Sequence, residues 1–297
     1  MLTPSEESCP NDDLILSKGH GAGNDFVLLP DPDDTVELSA ETVARICDRH
    51  RGIGADGLIR LVRCEALAEA GNYLGTGPFP EWFMDYRNSD GSIAEMCGNG
   101  VRVFVHYLRC HGFIDLRPGE SVRIGTRGGP KIVTFDAPLY TVDMGEYGLP
   151  YGSAGADTRV EIAGLGEREG ISITMPNPHT VVILDGEDDL AAADFHVEPA
   201  YSPVPPRGTN LEIVVAGADE SGLARMRVLE RGVGETLACG TGTCAVALAL
   251  LLSRGEREGV VPVHSPGGKM SVRIEAGRAY LTGPAELVAD IVLRDDC

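Results

Sequence analysis

The apolar and polar positions of the chain fall into two similar series. Each is a run of short strands that closes on a glycine turn and a very apolar helix. In the first series, "LILSKGHGAGNDFVLLPD" reads as two short apolar runs around a Gly-rich turn. "ETVARICDRHRG" has helical spacing at Val43, Ile46 and Cys47, with a stop at Gly52. "GLIRLVR" and "WFMDYRN" are strand-like, and "AEAGNYLGTGPFPE" between them is a loop by composition. "CGNGVRVFVHYLRCHG" predicts a turn opening a helix that ends near Gly112, and "SVRIGTRGG" with "KIVTFD" predicts a hairpin.

The second series begins with "YTVDMG" and "ISITMPNPHTVVIL", both strand-like, followed by "LAAADFHVE" as a short helix or turn. "GTNLEIVVAG" and "LARMRVLERG" read as strands, and "CGTGTCAVALALLLSRG" as a second turn opening an apolar helix, stopped by Gly255. Alternation in "MSVRIEAGRAYLTG" predicts a closing hairpin.

Landmarks recur in the same order. Asn24 has a counterpart in Asn177, 153 positions on, Asp56 in Asn210 about 154 positions on, and Cys97 in Cys239 at 142. A period this long is no solenoid; it points to a duplicated unit. Both terminal helices are apolar almost all round, so each must be buried on every side. The fold class expected is α/β (α+β): two pseudo-symmetric domains, each a curved, mostly antiparallel sheet around a central buried helix, with the site in the cleft between them. The expected boundaries are a leader at 1–13, domains at 14–138 and 139–283, and a last strand within 284–297 returning to the first domain.

The length of 297 residues suits two domains of about 150 residues. A net charge of −20 repels a phosphate backbone, which argues against nucleic acid as a partner. The longest apolar run, Ala245 to Leu252, is far below the ~20 residues that span a bilayer. The start "MLTPSEESCPNDD" lacks a signal-peptide pattern, so a cytoplasmic chain with reduced cysteines is expected.

"EMCGNG" and "LACGTG" carry the chemistry. Each places a cysteine, Cys97 or Cys239, at the N-terminus of a buried helix. Free backbone N–H groups and the helix dipole there favour a thiolate and can also hold a carboxylate. The glycines leave those donors bare. A small buried cysteine in a tight turn accounts for either motif alone. Two of them at matching points of a duplicated unit, facing one cleft, suit proton abstraction on one side of a carbon and donation on the other. Nearby, Asn88, Asn99, Glu230 and Arg231 offer groups for a charged substrate, and His179 in "PNPH" could tune a thiol. A surface pair accounts equally for Glu230–Arg231, and a hydrogen-bonding filler for His179.

The other six cysteines read as structural or terminal, namely Cys9, Cys47, Cys64, Cys110, Cys244 and Cys297, and their spacing fits no metal site. "GHGAGNDF" does not fit a dinucleotide loop, and none of Lys18, Lys131 and Lys269 is marked as a pyridoxal lysine. No cofactor and no metal are expected.

"KGHGAGNDF", "CDRHRGIGADG", "NSDG…CGNG", "PNPH" and "ERGVGETLACGTG" together resemble the diaminopimelate epimerase family, in order, from Lys18 to about Leu293. The resemblance implies a cofactor-independent isomerase that converts LL-2,6-diaminopimelate to the meso form, for lysine and peptidoglycan synthesis, on two similar domains facing a cleft. It implies Cys97 and Cys239 as thiol base and thiol acid. Gly98, Asn99, Gly240 and Thr241 fall where the family holds the carboxylate at the reacting centre. Asn24, Asn88, Asn177, Asn210, Glu230 and Arg231 fall where it reads the substrate, and His179 and Glu230 where it tunes the thiols. Gly57 stands where some members carry Gln, and Ala289 lies where some carry an aromatic that supports a homodimer; the homodimer stays an expectation. The alternatives are another cofactor-independent amino-acid racemase, a non-catalytic amino-acid-binding protein and a thiol redox protein.

Overall fold

The structure, a computed structural model, describes residues 15–152, 154–217 and 221–293. The leader expected at 1–13, with Cys9, and the terminal Cys297 lie outside the described residues. The first series comprises β1 (Ile15–Gly21), β2 (Asn24–Pro30), α1 (Ala40–Cys47), β3 (Gly57–Arg63), β4 (Trp82–Asn88), α2 (Gly98–Cys110), β5 (Ser121–Ile124) and β6 (Lys131–Asp136). The second comprises β7 (Leu139–Glu146), β8 (Thr158–Ile162), β9 (Gly166–Thr174), β10 (Pro178–Leu184), α3 (Glu187–Ala192), β11 (Ala200–Ser202), β12 (Asn210–Val215), β13 (Ala224–Glu230), β14 (Gly234–Thr236), α4 (Gly240–Ser253), β15 (Gly259–Ser265), β16 (Gly268–Glu275) and β17 (Arg278–Gly283). β18 (Glu286–Val292) closes the chain.

The same ladder is built twice. β2 is antiparallel to β1 and parallel to β3, which is antiparallel to β4. β10 is antiparallel to β9 and parallel to β12, which is antiparallel to β13. Phe26 faces Gly57 across the first parallel pair, and His179 faces Asn210 across the second. With Asn24 matched to Asn177, these rungs make Gly57 the counterpart of Asn210. The expected match of Asp56 to Asn210 is therefore one residue out, because pairing register, and not residue similarity, fixes equivalence.

The strands form a sheet in the order β18-β1-β2-β3-β4 and a larger one running β11-β8-β9-β10-β12-β13-β15-β16-β17-β7-β6-β5, with β14 against β13. The hairpin β5–β6 and β7 thus belong to the larger sheet, through the antiparallel pair β7–β17. Thr141 and Thr282 face each other on that seam, their hydroxyls 2.8 Å apart. The final strand lies antiparallel to β1.

Several elements differ from expectation. α1 stops at Cys47, short of Gly52. The Asp48 carboxylate accepts the His50 and Arg51 N–H groups at 2.8 and 2.7 Å, and this local bonding turns the chain out of the helix. "ISITMPNPHTVVIL" is two antiparallel strands, not one, since Pro176 and Pro178 break the run and Met175 N–H bonds Asn177 O at 3.0 Å. β8, β11, β14 and β15 are strands that the alternation did not mark.

α2 and α4 sit inside these sheets. Every α4 residue except Thr241 and Ser253 is buried, and α2 is buried from Gly98 to Val105 and again at Tyr107 and Leu108. The two helices share one apolar core that takes residues from both series. Each fully buried Leu, Val or Phe in it contributes about 1.5–3 kcal/mol. Cys110, expected on an apolar helix face, is exposed. Among the described residues no helix is long and apolar enough to cross a membrane.

Candidate active site

α2 and α4 meet at their N-termini. A methyl group added at Gly240 would lie 3.5 Å from Gly98 Cα and 3.1 Å from Leu281 of β17. Across this contact the Asn99 amide reaches Ala238 O at 3.5 Å. The residues that cap the two helices are Cys97 and Cys239, both in extended backbone. The twin turns are thereby brought to one place on the β7–β17 seam, where a methyl at Gly98 would press on Met144 at 2.9 Å and one at Gly240 on Leu281 at 3.1 Å.

Cys97 is partly exposed. Its Sγ donates to Asn24 Oδ1 and accepts the Gly100 N–H, both at 3.4 Å. Asn24 Oδ1 also accepts from Asn99 Nδ2 at 3.3 Å, and Asn24 Nδ2 donates to Asp56 Oδ2 at 2.7 Å. Cys239 is 8% exposed, with Thr241 Oγ1 at 3.4 Å. Glu230 is held by the Thr236 hydroxyl at 2.5 Å, and burial raises its pKa above the ordinary carboxylate value.

The thiols do not behave as the helix N-termini alone imply. Burial pushes Cys97 up to about 11, against the opposing pull of the Gly100 and Asn99 N–H groups. Burial also raises Cys239, and the nearby Glu230 and Glu212 charges add to it. Desolvation therefore outweighs the dipole. Burial thus favours the protonated form of both sulfurs, and a thiolate formed there is correspondingly basic.

The other expected residues divide into groups. His179 is buried and makes no bond to either thiol. Its Nδ1 lies 2.7 Å from Glu212 Oε1, and its Nε2 lies 3.0 Å from Asn177 Oδ1. Asn210 Oδ1 accepts the Arg231 N–H at 2.9 Å, while the Arg231 guanidinium is exposed and bonded to Arg207 O. No carboxylate pairs with Arg231 among the described residues, so its fork is open to an anion. Asn88 ends β4 and donates to Ser92 Oγ at 3.0 Å.

Sequence reading missed Glu212, Arg102 and Tyr86. Glu212 sits in the apolar run "NLEIVV" and is fully buried, with Oε2 lacking any hydrogen-bond partner. Its carboxylate abuts the first turn of α4, where a methyl added at Gly242 would collide with it. Gly242→Ala is therefore expected to cost about 1–3 kcal/mol through overpacking. Chemical denaturation measures this, and an unchanged midpoint would show that Glu212 yields freely. Tyr86 lies against Gly57, where an added Cβ would come within 2.6 Å of its ring, so this chain has no room there for a longer side chain.

Comparisons with known proteins agree with this layout. Residues 16–149 and 171–288 match the family model for diaminopimelate epimerase. A Rhodococcus opacus protein named diaminopimelate epimerase is 46% identical over 296 residues, covering 95% of this chain and 98% of its own. Its Mycolicibacterium smegmatis namesake is 42% identical over 288 residues, covering 93% and 95%. In fold, the chain is similar to the crystal structure of a phenazine biosynthesis protein of the PhzF family from Bacillus anthracis. That similarity has a TM-score of 0.69 at 14% identity and covers 96% of this chain and all of the other. The matched segments contain both cysteine turns and nearly every strand around them, and on that ground this chain belongs to the diaminopimelate epimerase family.

Proposed function

We propose that the chain interconverts LL- and meso-2,6-diaminopimelate by moving one α-proton between two thiols. The observation that carries this reading is the meeting of two cysteine-capped helix N-termini at Gly98 and Gly240. The α-carboxylate binds the bare N–H groups of both helix starts, at Gly98, Asn99, Gly240 and Thr241. One sulfur, as thiolate, removes the α-proton: the Cα–H bond breaks, an S–H bond forms, and the electron pair spreads into the carboxylate. The helix N–H groups face the charge that grows there. The opposite thiol then gives its proton to the other face of the carbon, which inverts it and leaves the second sulfur as thiolate.

The distal end of the substrate carries its own ammonium and carboxylate. The open Arg231 fork suits that carboxylate. Asn24, Asn88, Asn177, Asn210 and Glu230 offer the remaining polar contacts around the cleft. The Glu230 charge acts on both sulfurs, and with His179, held by Glu212 and Asn177, it is assigned to setting their charge. No step calls for a cofactor.

Incubation with LL-diaminopimelate in D₂O under reducing conditions tests the reading. The meso product should carry solvent deuterium at the inverted α-carbon, while proline and glutamate in parallel should stay unlabelled. A folded protein that exchanges no α-proton of diaminopimelate would sink the proposal.

A further inference from the structure

The two halves repeat in backbone but not in buried charge, and the difference lies behind the two cysteines. Five positions after Cys97, α2 carries Arg102; five positions after Cys239, α4 carries the neutral Cys244. Arg102 is fully buried. It donates to Asn99 Oδ1 at 2.9 Å, Pro284 O at 3.2 Å and Gly98 O at 3.3 Å, and it approaches Met270 Sδ at 3.8 Å. Among the described residues no carboxylate lies within ion-pair distance of it. The other two buried guanidiniums, Arg60 and Arg127, share Asp85 and reach further acids. A buried cation without a counter-charge is costly, so its retention calls for an anion formed nearby.

Arg102 acts on two thiols, Cys97 and Cys244, but its hydrogen-bonded route leads to Cys97 alone. Arg102 holds Asn99 Oδ1, the Asn99 amide donates to Asn24 Oδ1, and that same oxygen receives the Cys97 S–H. The strand beneath each helix start differs in the opposite sense. Gly100 rests on Phe26 and Ile59, whereas Gly242 rests on Glu212, the partner of His179. By ladder register Phe26 corresponds to His179 and Ile59 to Glu212. Behind Cys97 there is thus a buried guanidinium with no acid beside it, and behind Cys239 a buried carboxylate paired with an imidazole. Among the described residues the remaining charged or titratable groups are Glu230 of β13, which acts on both sulfurs, Tyr86 of β4, which lies near Cys97, and Asp56 before β3, which reaches that side through Asn24.

We propose that Arg102 is the counter-ion of the Cys97 thiolate, and that the unlike buried groups of the repeat make Cys97 the sulfur that ionises first and Cys239 the one that keeps its proton. This rests on the two-thiol reading of the site. Arg102 and Glu212 then act as positioning residues, through the sulfurs and not on the substrate. The epimer whose Cα–H points at Cys97 meets the enzyme ready to react. The other epimer must wait for the proton to change sides.

The test is the pH dependence of alkylation of each cysteine by iodoacetamide from pH 6 to 11, read peptide by peptide in the full chain. In the unaltered protein the Cys97 midpoint should lie at least about one pH unit below that of Cys239, a tenfold difference in thiolate at equal pH. Coincident or reversed midpoints would overturn the proposal without any variant. Arg102→Met should raise the Cys97 midpoint by about one unit or more and leave Cys239 nearly unmoved, while Arg102→Lys should restore part of the shift. A folded Arg102→Met with an unmoved Cys97 also overturns it; if that variant does not fold, Arg102→Lys and the unaltered ordering decide. Alkylation does not depend on turnover, so absent deuterium exchange would fail the epimerase reading separately.

Discussion

Cys97→Ala and Cys239→Ala are each expected to lower epimerisation of diaminopimelate by about 10³-fold or more, the upper part of the range for a positioned acid or base. The two losses should be similar, because inversion needs a group on each face of the carbon and neither sulfur reaches the other face. The double variant should be hardly worse than either single one, since residues acting as a unit are not additive. Folding should survive. Each cysteine caps its helix, but Cys97 accepts the Gly100 N–H at a long 3.4 Å, and Cys239 makes no side-chain cap bond. Circular dichroism should match the unaltered chain. Retention of near-normal turnover by either variant would end the two-thiol mechanism, whatever the substrate.

Asp85→Ala is expected to be the most destabilising single change, at about 3–5 kcal/mol, the cost of leaving buried charge without its partner. Asp85 is fully buried in β4. Its Oδ2 takes Arg60 Nε at 2.9 Å, its Oδ1 takes Arg127 Nη1 at 2.7 Å, and Arg87 lies 3.6 Å away. Burial raises the pKa of this carboxyl, but the three guanidiniums outweigh it and hold the group below the usual carboxylate range. The sign of the pH dependence follows. A depressed folded-state pKa contributes stability that is present above the unfolded value, about 4, and is lost as pH falls through the folded one. The gap between Asp85→Ala and the unaltered chain in urea should therefore be full at pH 7 and shrink as the pH drops below about 4. A loss under about 1 kcal/mol at pH 7 would place this cluster among surface ion pairs, which are worth little.

The helices were legible because being apolar on all sides leaves a helix only one place to go. α4 is the clearest case, and its boundaries match its sequence closely. The strands whose alternation was interrupted were not legible. β15 contains Pro262, and β10 follows directly on the Pro176–Pro178 turn. Within the site, Cys97, Cys239 and their glycines were legible because the same short turn appears twice. Glu212 was hidden as one acidic residue in a strand of apolar ones. Arg102 was hidden as one basic residue in a helix that otherwise reads as apolar, since nothing local says which groups surround it.

The ionisation of the sulfurs is set by a local and a distant influence in the same way. A helix N-terminus is a local feature and favours thiolate, whereas desolvation depends on everything packed around it, and here desolvation wins. The sequence by itself determined what repeats along the chain: the order of strands, the two buried helices and a cysteine before each. Only the tertiary structure decided how the copies differ, which carbonyls and carboxylates stand behind each sulfur, and that Arg102 is buried with no acid beside it. Repetition is written in local pattern, but burial and charge pairing arise from residues far apart in the chain.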